Sequence, residues 1–231
     1  MKRKRFKKRK SPWYNKKRGL RRSLLRSGGW IKSYNKNRPE RKFIDAAALY
    51  PFAYDATPQL LNGCATGTFV NQRIGNKITM KSLFLRIDLI NNYQDATGYD
   101  DINKNYRIIV LYDKQTNGAL PAVSDILNLS TTSCTLAFNN LYNKDRFQIL
   151  IDKTGSTLPI SFVESVDHKS NTHKYIKIFK KLNHTVQFGT TGASITDIKT
   201  GSIIALFLSN ESIASSLTTG TVSWRIRYID P

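Results

Sequence analysis

Apolar and polar residues alternate one by one along several segments after residue 76. In KITMKSLFLRIDLI (77–90), the odd positions from Leu83 to Leu89 are apolar, while Arg86 and Asp88 lie between them. Successive side chains of a β-strand point to opposite faces, so this period of two predicts a strand with one buried face. The pattern predicts no earlier strand, because residues 43–75 look irregular and contain several prolines and glycines.

Similar signals continue to the end of the chain. The run YRIIVLYD (106–113) is largely apolar or aromatic, so we expect it to be covered on both faces. The segment SDIL (124–127) predicts a helical turn capped by Ser124. Further strands are predicted at 146–152, 173–182, 184–188, 202–209 and 221–230.

These segments predict an all-β fold. At least seven strands are separated by links rich in Gly, Asn and Thr, some of them long, and the pattern predicts no long helix. Parallel βαβ units need helical crossovers, so this pattern argues against them. We expect residues 43–231 to form a single eight-stranded jelly-roll sandwich with long loops.

The positive charge of the chain is concentrated at its N-terminus. The net charge is +21, and residues 1–42 hold 19 of the 37 Lys and Arg residues against one acid, Glu40, which makes +18. Residues 43–231 carry 18 basic and 15 acidic residues. A block of like charges repels itself, so we expect residues 1–42 to be a disordered arm that binds polyanions.

The residue types of this arm suit nucleic acid. Lys and Arg neutralise phosphates without regard to sequence, and interleaved aromatic rings stack on unpaired bases, which favours single strands. An alternative interpretation for Trp30 and Tyr34 is that they pack against the folded domain. The predicted nucleic-acid-binding residues of the arm are Lys2, Arg3, Lys4, Arg5, Lys7, Lys8, Arg9, Lys10, Trp13, Tyr14, Lys16, Lys17, Arg18, Arg21, Arg22, Arg26 and Trp30. A nuclear-import signal is predicted from the basic cluster Lys2, Arg3, Lys4, Arg5, Lys7, Lys8, Arg9 and Lys10.

Basic residues of the domain are expected to extend this surface. Arg73, Lys77 and Lys81 lie just before or within the predicted first strand. Arg225 and Arg227 share one face of the last strand, where they either bind nucleic acid as well or pair with acids of a neighbouring subunit.

The sequence contains no recognised enzyme motif. There is no GxSxG, HExxH, Walker loop or dinucleotide-binding glycine fingerprint. Cys64 and Cys134 lack metal-ligand spacing and are expected to be buried apolar residues. His168 and His173, with Glu164 and Asp167 nearby, form a weak candidate for a metal site. The polar sequence around them favours a solvated loop instead. We predict no enzymatic activity, cofactor, metal, secretory signal or membrane span.

A nearly neutral domain that carries one cationic arm is typical of a protein whose copies assemble into a container. Closed symmetry allows one chain to form a large shell through repeated interfaces. About 60 arms would supply roughly 1,100 positive charges, enough for on the order of 1,000–2,000 nucleotides of single strand.

Three segments resemble known proteins. RIGNKITMKSLFLRIDL (73–89), RIIVLYDKQTNGALPAVSDIL (107–127) and DRFQILIDKTGS (145–156) resemble capsid proteins of small circular Rep-encoding single-stranded DNA (CRESS-DNA) viruses, the circovirus-like and geminivirus-like group. The resemblance implies a jelly-roll subunit, an icosahedral shell of about 60 copies, and an inward arm that binds a single-stranded DNA genome. It also implies host nuclear import receptors as partners, and location in the virion and, during assembly, the host nucleus.

Two other function classes remain open. One is a monomeric nucleic-acid-binding protein, ribosomal or chromatin-associated, with a basic tail. The other is a jelly-roll enzyme or lectin, which would need a ligand-binding cluster in its loops. The choice of DNA over RNA rests on the resemblance alone, since phosphate contacts do not distinguish the two, and RNA is possible in an expression host.

Overall fold

The structure is a computed structural model that describes residues 41–91, 104–129, 133–157, 172–210 and 218–230. The described strands are β1 (Arg41–Pro51), β2 (Gln59–Leu60), β3 (Lys77–Asn91), β4 (Lys104–Asp113), β5 (Phe147–Thr157), β6 (Thr172–Phe188), β7 (Ile198–Thr200), β8 (Ser202–Ser209) and β9 (Thr218–Ile229). A single-turn helix, α1 (Val123–Ile126), and two 3-10 turns, Leu141–Asn143 and Ile195–Asp197, lie between them.

The strands form two antiparallel sheets. Sheet A has the order β1-β9-β3-β6-β7, and sheet B has the order β2-β8-β4-β5. Apart from the short β7, each sheet contains four strands, and the chain passes repeatedly from one sheet to the other. This is the eight-stranded jelly roll that the alternating pattern predicted.

The core lies between the inner faces of the two sheets. The odd positions of β3 from Leu83 to Leu89 are fully buried and pack with Ile108 and Val110 of β4. Full burial of each such side chain stabilises the fold by about 1.5–3 kcal/mol. The strand predicted at 77–90 and its buried face are confirmed.

Sheet B is also covered on its outer face. Ile109 and Leu111 of β4 pack beneath the β4–β5 loop, against its buried residues Leu127 and Ala137. The guanidinium of Arg107 donates to the carbonyl oxygens of Cys134 and Ala137 in this loop, at 3.2 and 2.5 Å. This double cover explains the continuous apolar runs in β4 and β8 and confirms the expectation for residues 106–113.

Strand β1 was not predicted. It pairs with β9 along its whole length, from Arg41 opposite Ile229 to Pro51 opposite Thr219. Its sequence, RKFIDAAALYP, alternates weakly, and the hydrogen bonds of β9 hold it in place. The expectation that residues 43–75 are irregular is therefore wrong for 43–51.

The start of β1 is tied to the end of the chain. The Nζ of Lys42 lies 3.2 Å from a carboxylate oxygen of Asp230, and both side chains are buried. Arg41 and Lys42, which we assigned to the arm, thus belong to the sheet. Residues 1–40 lie outside the described residues, and their role as a separate arm stays a prediction.

Helix α1 is capped differently from our prediction. Its N-cap is Ala122, whose backbone N–H donates to the carboxylate of Asp125 at 2.9 Å. Ser124 is inside the helix and is exposed. Within the described residues, no helix is long and apolar enough to cross a membrane.

Cys64 and Cys134 are buried free thiols in separate parts of the domain, as predicted. Burial raises the pKa of both thiols, that of Cys134 to about 11. Neither thiol has the low pKa or the exposure of a reactive cysteine.

Candidate nucleic-acid interface

The outer face of sheet A carries concentrated positive charge. Side chains alternate along its strands, so every second residue points away from the core. The basic residues on this face, within the described strands, are Arg41, Lys77, Lys81, Arg86, Lys177, Lys181, Arg225 and Arg227. Asp45 and Asp88 are the acidic residues among them in these strands. We call this surface the basic face; its excess of cations attracts polyanions.

Aromatic rings are interleaved with these cations. In the sheet register, Phe84 of β3 lies opposite Phe179 of β6 on one side and Arg225 of β9 on the other. Three cations lie over rings of the same face: Arg86 over Phe84 at 5.1 Å, Lys177 over Tyr175 at 5.1 Å, and Arg225 over Phe43 at 5.0 Å. Phe179 and Tyr175 are 60% and 56% exposed.

A cleft of about 650 Å³ opens on the basic face. Its lining includes the small residues Ala47, Ser82 and Ser223, which leave space between the larger side chains around them. Phe84 and Phe179 line the same cleft. Pockets of this volume hold small organic ligands.

Arg225 forms a two-point ion pair across the cleft. Its Nε donates to Oδ1 of Asp45 at 2.7 Å, and its Nη2 donates to the second carboxylate oxygen. The hydrogen bonds that Arg225 donates to Asp45 raise the pKa of the guanidinium. Of the two alternatives for Arg225, pairing with an acid is the one seen here, but the acid belongs to the chain's own β1 and not to a neighbouring subunit.

Arg73 does not belong to the basic face. It is fully buried, and its guanidinium lies 4.0 Å from the ring centroid of Phe188. It donates to the carbonyl oxygens of Cys64, Gly75 and Thr190 and to the Oδ1 of Asn76. With its N–H groups used inside the protein, Arg73 is unavailable to nucleic acid, and its predicted binding role is wrong.

Lys77 and Lys81 do lie on the basic face. Lys77 is exposed, and the Nζ of Lys81 donates to Oδ1 of Asn183 at 2.8 Å. A register shift between Met80 and Ser82 turns Lys81 outward beside Ser82. Their contact with nucleic acid stays a prediction, as do the roles of the arm residues from Lys2 to Trp30, which lie outside the described residues.

Sequence reasoning missed the aromatic part of this site. Residues 173–182 showed Tyr175, Lys177 and Phe179 on one face of a strand, but the neighbouring strand was unknown. The register that places Phe179 beside Phe84 pairs residues 95 positions apart, and a single-strand pattern carries no such information. The sequence did contain one signal for this site: in two strands, aromatic residues share a face with charged residues.

The weak metal candidate is not assembled in the described part of the chain. His173 lies 3.5 Å from a carboxylate oxygen of Asp88 on sheet A. Glu164, Asp167 and His168 lie outside the described residues. No group of three or more His, Cys, Asp or Glu residues suited to a metal is found among the residues that the structure describes.

Comparison with known proteins places the domain in a family. The family model described as satellite tobacco necrosis virus coat protein matches residues 55–231, which is more than half of the chain. No curated protein matches the chain.

Proposed function

From the premise that this chain belongs to the satellite tobacco necrosis virus coat protein family, and is a viral coat protein, we propose that it assembles into a closed icosahedral shell and packages single-stranded nucleic acid. The family match over residues 55–231 carries this conclusion. The jelly roll and the basic face support it. A coat protein family is a structural one, and the absence of enzymatic activity stays a prediction.

The resemblance to CRESS-DNA virus capsids identified the right kind of protein but the wrong virus group. The matching family is of the RNA-virus type. Whether the packaged strand is DNA, as the resemblance implied, or RNA is therefore decided by experiment. Nucleic acid extracted from particles and treated separately with DNase and RNase distinguishes the two.

Assembly is supported by exposed apolar side chains on the β4–β5 loop. Phe138 and Tyr142 are 87% and 98% exposed, and Leu136 and Leu141 are also largely exposed. Clusters of this kind on soluble proteins mark interaction surfaces. In a coat protein, a second copy of the chain is the partner that fits.

The assembly proposal is tested by removing these side chains. We expect the double variant Phe138→Ser/Tyr142→Ser to fold but to sediment as small species, whereas Lys144→Ser in the same loop still forms particles in negative-stain micrographs. Particles from the double variant would show that this loop is not an essential contact. A wild-type protein that binds nucleic acid as a monomer would instead favour the ribosomal or chromatin-associated class.

Packaging is supported by the charge of the arm together with the basic face. The eight basic residues among the first ten can be replaced by glutamine without shortening the chain. We expect such particles to have a lower 260/280 nm absorbance ratio than wild type. A deletion should end before Arg41, because Lys42 forms the buried pair with Asp230.

Nuclear import by residues 2–10 is a separate proposal, supported by the basic cluster alone. A fluorescent protein fused to this segment is expected to accumulate in nuclei, and the glutamine variant is not. If both fusions distribute equally between nucleus and cytoplasm, this segment does not bind import receptors.

A further inference from the structure

We propose that the cleft on the basic face binds unpaired nucleobases of the packaged strand, which stack on Phe84 and Phe179 while the flanking phosphates contact Arg86 and Lys177. This inference rests on the packaging function proposed above. It adds a second kind of contact to the neutralisation of phosphates by the arm: recognition of bases by the folded domain.

The fold does not require aromatic residues at the positions of Phe84 and Phe179. Phe179 has the outward position of β6, where burial does not stabilise it, and is 60% exposed. Phe84, its direct neighbour in the register, also points outward. Two rings side by side on the open surface of a sheet provide a platform for flat ligands, and base–aromatic stacking is a main source of affinity for single strands.

The surrounding charge selects an anionic ligand. Arg86 lies opposite Lys177 in the register, directly beside the two phenylalanines. Asp45, the acid that lines the cleft, has both oxygens engaged by Arg225 and therefore repels a phosphate less than a free carboxylate would. A flat apolar platform bordered by cations matches a nucleotide, which combines an aromatic base with a phosphate.

The geometry favours unpaired bases over a duplex. In a double helix both faces of each base are stacked on neighbours, so rings set in a sheet cannot reach them. The cleft of about 650 Å³ has space for a base that is turned out of its strand. An acidic protein segment would satisfy the charge but would not use the rings, and it is an outcome that the test below identifies.

The first test compares binding to a normal single strand and to an abasic strand of equal length. The full-length variant Phe84→Leu/Phe179→Leu keeps the charge and the apolar character of the face. We expect it to bind the normal strand at least fivefold more weakly than wild type does, and to bind the abasic strand equally well. The measurement is fluorescence anisotropy at low and high salt, because high salt suppresses phosphate contacts. Tyr54→Leu, at a ring that is 50% exposed and lies outside the strands of the basic face, is the control for loss of an exposed ring.

Equal weakening on both strands, or no weakening on either, would overturn the inference. Packaging by the arm would survive either result. Failure of wild type to bind any strand would instead reject the proposed function itself.

A second measurement does not depend on a variant. Wild-type protein is bound to a strand containing 5-bromouracil, irradiated, digested and analysed by mass spectrometry. We expect crosslinks within 82–86 or 178–180. Crosslinks confined to residues 1–40 would overturn the inference, and loss of crosslinking when an acidic peptide competes at constant salt would point to a protein ligand.

Discussion

Three arginines show how differently one residue type is used in this protein. Arg73 is fully buried and bonded to backbone carbonyls, Arg107 connects a core strand to the β4–β5 loop, and Arg225 lies exposed beside an acid. In the sequence, Arg73 looked like an extension of the basic arm because it lies near other cations. Two of the carbonyl oxygens it binds, those of Cys64 and Thr190, lie 9 and 117 positions away, so local charge could not reveal its structural role.

Replacing Arg73 should destabilise the domain without a direct effect on nucleic-acid binding. Arg73→Met leaves the buried carbonyl oxygen of Cys64 and the partly buried carbonyl oxygens of Gly75 and Thr190 without this donor, at a cost of about 1–3 kcal/mol. We expect a lower urea midpoint than for Lys77→Met, which changes an exposed residue. Equal midpoints for the two variants would contradict the structural role of Arg73.

His184 should make stability depend on pH. Its ring stacks on Tyr112 with centroids 4.4 Å apart, and burial lowers the pKa of the imidazole below its ordinary value. A lowered pKa in the folded state means that the unfolded state binds the proton more readily. The contribution of His184 to stability is therefore fully present above the ordinary imidazole pKa of about 6.5 and is lost as the pH falls from there through the lower folded-state pKa.

The measurement for His184 is urea unfolding at pH 7.5 and 5.5. We expect His184→Gln to lose less stability between these two values than wild type does. His173→Gln, at an exposed position, controls for the removal of a histidine. A wild-type loss no larger than that of His184→Gln would show that this ring does not contribute to the pH dependence.

At the scale of elements, the sequence predicted strands wherever burial imposed a pattern. Strand β3 shows strict alternation because one of its faces is buried, and β4 and β8 are continuously apolar because both of their faces are covered. The strands predicted at 173–182 and 184–188 form one strand, β6. Strands β1, β2 and β7 were missed for a physical reason, β7 because three residues are too few for a period. β1 contains a run of small alanines held by the hydrogen bonds of β9, and β2 has two residues, too few for any period. The basic face was partly predicted from its cations, but its aromatic pair depends on register.

The covering loop of sheet B should depend on Arg107. Besides the two loop carbonyls, its guanidinium binds Asp152 with N–O distances of 2.8 and 2.7 Å. Arg107→Leu leaves the carboxylate and the carbonyls without this donor and should loosen the loop from β4. Amide hydrogen exchange over 133–140 is expected to become at least tenfold faster, while Lys153→Leu leaves it unchanged. Unaltered exchange in Arg107→Leu would show that apolar packing alone holds the loop.

At the scale of the whole molecule, the two sides of the sandwich are chemically different. The outer face of sheet A is cationic and aromatic, whereas sheet B lies beneath a loop that presents apolar side chains. This asymmetry fits a subunit that contacts nucleic acid through one surface and other subunits through another. Neither surface can be recognised from the amino-acid composition, because both arise when distant segments of the chain fold onto one another.

Packaged length should follow the charge of the arm. Replacing the eight basic residues among the first ten by glutamine lowers the arm charge from +18 to +10. If charge balance sets the capacity, we expect the nucleotides per particle to fall by a little under half. Extraction and sizing of the nucleic acid give this value. Particles of unchanged content would show that capacity is set by the interior volume instead.

The two buried thiols have a practical consequence for chemical labelling. The chain contains two cysteines, and both are inside the domain with a raised thiol pKa. A cysteine introduced at an exposed position, as in Lys144→Cys or Lys177→Cys, should therefore be the one thiol that reacts with a maleimide dye at neutral pH. Assembled particles carrying each substitution would then report, by whether the dye reaches them, which surface of the subunit faces outward.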